Sequence, residues 1–255
     1  MTTHEGRWPA GTPAWVDLMA RDLGAATAFY GELFGWEFDE GTEEFGYYST
    51  ARLRGAAVAG ISPTPPGMEG QPSVWTTYLA ADDLDAVTAQ VAELGGRVLM
   101  PAMEIAGTGA MALLADRAGA TFGLWRGGSH SGFGVVDEPG SVVWSDLMTE
   151  DREAAEEFYA ALFGYDFAPV EGSYAAVRLD GREVGGLGDL ADLGSETPPQ
   201  WRTFFAVGSA DETCRSAGLL GGTVVVEPQD SPYGRMATLR GPSGESFLVL
   251  EPPGA

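Results

Sequence analysis

The feature that most constrains this chain is that it repeats itself. The stretch AWVDLMARDLGAATAFYGELFGWEF at 14–38 returns as VWSDLMTEDREAAEEFYAALFGYDF at 143–167, with Trp15 and Asp17 recurring as Trp144 and Asp146. Self-similarity over so long a period marks a duplicated structural unit. The 255 residues therefore read as two related halves.

Each half has its own internal grammar. In the first, AWVDLMA places Trp15, Asp17 and Met19 on one face of an extended run. Asp22 stands where a helix N-cap belongs, and Ala26, Phe29, Tyr30, Leu33 and Phe34 follow at helical spacing before Gly35 stops the element. WEFDE, GYYSTARL and AAVAGIS then read as strands, with Gly55 turning between the last two. After the Pro- and Gly-rich TPPGMEGQPS, the same order recurs in VWTTYLAA, DDLDAVTAQVAELGG, RVLMPAMEI, GAMALLAD and TFGLWRG. WRTFFAVGSADETCRSAGLLGG and GRMATLRGPSGESFLVLEP repeat this second unit in the other half. The prediction is an α+β fold of four tandem βαβββ units. Residues 1–12 form an N-terminal tail, 13–126 a first domain, 127–140 a linker and 141–255 a second domain.

Composition narrows the partners. There are 37 acidic residues against 14 basic ones, every one of them Arg, for a formal charge of −23. Such a surface repels phosphate backbones and anionic membranes, so neither nucleic acid nor membrane is an expected partner. Lys-free, Ala- and Gly-rich usage reads as genomic base composition, with the acidity aiding solubility. No apolar run reaches the roughly 18 residues of a membrane span. MTTHEGRWPAGTP has neither a basic n-region nor an apolar h-region. The lone Cys214 excludes an internal disulfide, so a cytoplasmic location is expected. DETCRSAG reads as a helix surface, and no His lies near it in sequence to activate the thiol.

The four units, with FYGELFGWEF, FYAALFGYDF and the closing GPSGESFLVL, resemble the vicinal oxygen chelate superfamily of glyoxalase I, bleomycin-resistance proteins, fosfomycin-resistance enzymes and extradiol dioxygenases. More narrowly, GTPAWVDLMARD with VVWSDLM and FYAALFG resembles two-domain glyoxalase-like proteins of actinobacteria, over residues 13–251. The resemblance implies that two units pair into one open, cup-shaped mixed β-sheet flanked by helices, with a ligand cavity inside the cup, so that four units make two cups. It makes a monomer sufficient, since the tandem chain already contains what single-half relatives assemble as dimers. Whether units pair within or between halves is left open.

The resemblance also implies a divalent ion on the cup floor, held by His or Glu from the first strand of each paired unit and a Glu near the end of the closing strand. Those positions fall on Trp15, Thr76 and Gly123 in the first half and on Trp144, Arg202 and Leu248 in the second. None makes a ligand set, and the Arg202 guanidinium repels a cation. The two histidines are His4 in the tail and His130 in the linker, and Glu251 lies three residues beyond the aligned position. The expectation is a protein with no metal and no other cofactor.

What replaces the metal is aromatic and acidic. Asp17 and Asp146 share their strand faces with Trp15 and Trp144, and Thr76 with Tyr78 and Arg202 with Phe204 share theirs. Tyr48 and Tyr174, with Tyr47, lie on hairpin strands that could cover the cup mouths. The candidate catalytic residues are Asp17 and Asp146; the candidate ligand-binding residues are Trp15, Thr76, Tyr78, Trp144, Arg202, Phe204, Tyr48 and Tyr174. Equally, strand aromatics serve as core, and an Asp can serve by bonding backbone or an indole N–H. A carboxylate alone in an apolar cup has a raised pKa and suits proton transfer, whereas one beside Arg stays ionised and positions. That contrast favours Asp17 for acid–base work and Arg202 for holding an anionic or carbonyl oxygen. GGSHSGFG opens no helix, so it reads poorly as a phosphate cradle, and two histidines give no Ser–His–Asp arrangement. The partner is a small molecule under each of three readings: a metal-independent isomerase, lyase or cyclase of specialised metabolism; a sequestering, resistance-type binding protein; or a metal-dependent glyoxalase or dioxygenase.

Overall fold

The computed structural model describes residues 2–4, 6–193 and 197–254. The chain begins with β1 (Thr2–Thr3), β2 (Pro13–Ala20), α1 (Leu23–Phe34), β3 (Glu37–Phe38), β4 (Ser49–Leu53), β5 (Ala56–Pro63), β6 (Trp75–Ala80), α2 (Leu84–Glu93), β7 (Arg97–Ile105), β8 (Gly109–Ala115) and β9 (Thr121–Gly127). It continues with β10 (Val135–Val136), β11 (Val142–Thr149), α3 (Arg152–Phe163), β12 (Asp166–Glu171), β13 (Tyr174–Leu179), β14 (Arg182–Asp189), β15 (Gln200–Ala206), α4 (Ala210–Leu219), β16 (Thr223–Ser231), β17 (Gly234–Arg240) and β18 (Ser246–Glu251).

Local chemistry sets these boundaries. The side chains of Asp22, Asp83, Asp151 and Ser209 cap the four helices, each accepting from the backbone N–H three residues on. Gly35 and Gly164 close α1 and α3 at φ 71° and 72°, a left-handed conformation that costs glycine little. Strand β4 starts later than GYYSTARL implies. A short 3₁₀ turn at Glu43–Phe45 ends in Gly46 and Tyr47, both left-handed, so extended pairing resumes only at Ser49.

Two eight-stranded sheets result, in the orders β3-β4-β5-β2-β6-β9-β8-β7 and β12-β13-β14-β11-β15-β18-β17-β16. In the first, antiparallel β2–β6 pairing joins the two units, while β2 runs parallel to β5 and β6 to β9. The second repeats the plan through β11–β15. Units therefore pair within a half. The core, by contrast, is shared across halves. The Trp75 indole N–H donates to the Tyr30 hydroxyl at 3.0 Å, which donates to Glu245 Oε1 at 2.8 Å. On the other side the Trp201 indole donates to the Tyr159 hydroxyl at 3.0 Å, which donates to Asp116 Oδ2 at 3.3 Å. Around the first relay the rings of Phe34, Trp36, Trp75, Phe205 and Phe247 interlock.

Three expectations change. Cys214 is buried: it shares with Ala210 and Ala217 the inward i, i+4, i+7 face of α4, and burial raises its thiol pKa. The N-terminal residues pack rather than trail, because β1 pairs antiparallel with β10, His4 stacks on Trp8 with centroids 3.9 Å apart, and the Trp8 indole donates to the Phe133 carbonyl. Residues 132–134 of the linker are likewise woven into the sheet, Phe133 N–H donating to Ala14 O and Gly134 N–H to Ala57 O. Glu251 turns to α4, where its Oε2 accepts the N–H of Ala210. Among the described residues, no helix is long and apolar enough to cross a membrane.

Candidate functional site

The floor of the first cup follows from strand register. Trp15 pairs with Tyr78, Asp17 with both Thr76 and Gly60, and Tyr78 with Gly123, so these residues share one face. Two glycines make room for rings: a Cβ at Gly123 would overlap the Tyr78 ring, and one at Gly60 would overlap the Tyr48 hydroxyl. The Trp15 indole N–H donates to that hydroxyl at 2.7 Å, and the Tyr78 hydroxyl donates to Asp17 Oδ2 at 2.9 Å.

The described hydrogen bonds give Asp17 one partner, Tyr78. Burial pushes its carboxyl up to about 7, and the Tyr78 bond offsets only part of the rise. Burial and then the charge of Asp17 raise the Tyr48 and Tyr78 hydroxyls well above the usual phenol range, so both remain protonated donors.

The walls are apolar. Met111 and Leu113 on β8 pair with Trp125 and Gly123, and Met100 and Met103 on β7 pair with Leu113 and Met111. Met103 is exposed, so the end of this wall faces solvent. The linker closes the opposite end, with the His130 ring edge-on to Trp15 at 4.3 Å and Phe133 5.6 Å from the same indole. Burial and Arg52 push His130 down to about 4, so its ring is neutral at neutral pH.

The second cup keeps the indole–tyrosine pair, links it to the aspartate and neutralises that aspartate. The Trp144 indole donates to the Tyr174 hydroxyl at 2.8 Å, and that hydroxyl donates to Asp146 Oδ2 at 3.4 Å. Where the first cup has Thr76, Arg202 forks onto Asp146, Nε to Oδ1 at 2.7 Å and Nη2 to Oδ2 at 2.6 Å, with its guanidinium 5.4 Å from the Phe204 ring centre. Asp146 is 1% exposed, so this is a buried, fully engaged pair. The expected meeting of Asp146 with Arg202 is observed. The expectation of Arg202 as a spare oxygen-binding group is revised, because the fork leaves only Nη1 outside it.

Two further placements differ from the sequence reading. Tyr48 and Tyr174 put their hydroxyls on the floors, bonded to the indoles, rather than across the mouths. The indoles bond tyrosines, not the aspartates. Gly60, Gly186, His130 and the Met wall escaped the sequence reading, although Gly60 and Gly186 occupy matching places in the repeat and Met111 with Leu113 alternates at period two.

The floor positions that would hold a metal present an indole, a hydroxyl and no side chain in the first cup (Trp15, Thr76, Gly123), and an indole, a guanidinium and an isobutyl group in the second (Trp144, Arg202, Leu248). A divalent ion needs several carboxylate, imidazole or thiolate donors converging. Among the described residues, no group of three His, Cys, Asp or Glu is placed to do so. The donor set does not fit a metal.

With its two cup-bearing sheets, the chain belongs to the Glyoxalase/Bleomycin resistance protein/Dioxygenase superfamily, whose family model matches residues 12–124. It is 42% identical over 250 residues to the Mycobacterium bovis protein named "Putative glyoxylase CFP32", covering 95% of both chains. It is 39% identical over 266 residues to the anthracycline biosynthesis protein DnrV of Streptomyces peucetius, covering 96% of this chain and 94% of that one. Among solved structures it resembles the Mn(II)-bound glyoxalase from Novosphingobium aromaticivorans, with TM-score 0.65, 15% identity and coverage of 96% and 84%. That last likeness is one of fold.

Proposed function

We propose that the protein is a metal-independent acid–base enzyme of specialised metabolism, acting on a small planar carbonyl compound in the first cup, with residues 13–126 and 141–255 as two cup-bearing domains. Asp17 is the proton-transferring group, and Trp15, Tyr78 and the Met wall shape the cavity. The observation that carries this reading is the Asp17 carboxyl, held by one hydrogen bond in an apolar cup and pushed up to about 7. A group titrating there can both take and return a proton at neutral pH. The similarity to anthracycline biosynthesis proteins supports a polycyclic polyketide ketone as ligand. The second cup favours a binding role, because its polar groups satisfy one another and its Trp144 and Phe204 offer aromatic surface.

The test titrates the protein with an anthracycline aglycone, follows tryptophan fluorescence, and recovers the ligand from D2O for mass spectrometry. Binding with deuterium incorporation that Asp17→Asn abolishes is the expected result. Binding without incorporation in the wild type would instead favour the sequestering protein. Incorporation that needs added Mn or Ni would restore the metal-dependent lyase.

A further inference from the structure

We propose that the Tyr48 hydroxyl is the oxyanion-holding donor of the first cup, receiving the oxygen of an enolisable conjugated ketone while Asp17 moves the proton. The inference rests on the acid–base reading above and adds a further catalytic residue and a substrate class to it.

Hydrogen-bond direction leads to Tyr48. The Trp15 indole can only donate, and it does so into the Tyr48 oxygen at 2.7 Å. What the phenol retains is its own O–H. In the second cup the equivalent Tyr174 spends that proton on Asp146 Oδ2 at 3.4 Å. In the first cup no described acceptor takes it. The two hydroxyls nevertheless occupy the same place: each overlies a strand glycine, Gly60 or Gly186, that is the parallel-ladder partner of Asp17 or Asp146.

Position leads to the chemistry. Tyr48 lies over the residue beside Asp17, and Tyr78 occupies only Oδ2 of that carboxyl, leaving Oδ1 without a donor. An unspent O–H next to an unspent carboxylate oxygen matches a carbonyl with an acidic C–H beside it. The Trp15 floor and the Met100, Met103 and Met111 wall favour a flat, conjugated version of that group. High above the phenol range, Tyr48 keeps its proton throughout. It therefore stabilises the enolate by hydrogen bonding and transfers nothing.

In the step, ionised Asp17 takes the proton from the carbon next to the carbonyl. The C–H electron pair becomes the new C=C bond, and the carbonyl π pair moves onto the oxygen that Tyr48 holds. Protonated Asp17 then returns the proton to the conjugated carbon farther along, giving a rearranged ketone. No electrons are gained or lost, and no co-reactant is consumed.

The probe is 2-naphthol, whose ionised form mimics an enolate and absorbs apart from the neutral form. In Asp17→Asn, which mimics the protonated carboxyl, bound naphthol should ionise at a pH at least one unit below its solution value. Adding Tyr48→Phe should remove that shift, while adding Tyr174→Phe should leave it, with circular dichroism confirming that each variant is folded. A shift that survives Tyr48→Phe, or one that Tyr174→Phe removes, would overturn the assignment. The two readings fail separately. Deuterium incorporation with no Tyr48-dependent ionisation would retain acid–base chemistry and remove Tyr48 from it. Tyr48-dependent ionisation without incorporation in the wild type would retain the oxygen-holding hydroxyl and remove the proton transfer.

Discussion

Tyr30 and Glu245, 215 residues apart in sequence, meet inside the molecule at 2.8 Å, and the same hydroxyl accepts the Trp75 indole N–H. Tyr30→Phe strips a donor from a buried carboxyl and an acceptor from a buried indole at once. The expected cost is about 2–4 kcal/mol in urea unfolding, at the upper end for a single lost hydroxyl because two buried groups lose their partner. Because this relay and its Tyr159 counterpart both cross between halves, unfolding should be one transition, and residues 1–127 expressed alone should not fold. Two separate transitions in calorimetry would contradict this.

The Asp17 carboxyl titrates near 7 in the folded protein against about 3.9 when unfolded. Between those values the folded state binds more protons, so stability falls as pH rises from about 4 to 7 and levels off above. The shift corresponds to a loss on the order of 4 kcal/mol, reduced by the solvent that reaches this partly exposed side chain. Asp17→Asn should remove that part of the slope. Urea midpoints measured at half-unit pH intervals for both proteins would decide it, and parallel curves would mean that Asp17 titrates normally.

Arg202 and Asp146 form a pair with Asp146 fully enclosed. Arg202→Met should cost about 3–5 kcal/mol, since it leaves an uncompensated buried carboxylate. Arg202→Met with Asp146→Leu should recover most of that loss. If the double variant is no more stable than the single one, Arg202 acts by packing on Phe204 rather than by charge.

Thr76→Arg would write the second cup's chemistry into the first. A guanidinium opposite Asp17 should hold that carboxylate ionised and flatten its contribution to the pH–stability curve, and the deuterium incorporation proposed above should vanish with it. Retained incorporation would place the reacting carboxylate elsewhere.

Gly60→Ala places a methyl group where the Tyr48 hydroxyl lies, backed by the strand itself. The ring must swing outward and break the Trp15 bond, so we expect a loss of about 1–3 kcal/mol and a red shift in Trp15 emission as its indole gains water. Gly70→Ala, at a residue with open space around it, is the control.

The repeat made the architecture legible, because each unit signals itself by local rules: an Asp or Ser N-cap, left-handed glycines and a clean switch between periods of 3.6 and 2. Strand parity likewise places Trp15 with Asp17, and Thr76 with Tyr78, on one face of their own strands. Pairings across long separations were not legible. Nothing near Tyr48 in sequence says that its hydroxyl will meet the Trp15 indole, and a tyrosine at the start of a hairpin fits a rim as well as a floor. The packing of His130 against Trp15 depends on Phe133 and Gly134 bonding to Ala14 and Ala57, a tertiary event that a Gly-rich stretch does not announce. The burial of Cys214 is hidden in DETCRSAG, where only small residues mark the inward stripe.

Thr76 and Arg202 stand at equivalent positions, yet each is specified by its own codon. In an assembly of identical half-length subunits, a change that arms one site alters every site, so any gain in one is tied to whatever it does in the others. Here a mutation that frees a carboxylate on one side leaves its counterpart pinned on the other. Selection can thus retain one cavity as a self-satisfied binding site while the other explores new chemistry, and the duplicated gene carries both the experiment and its safeguard.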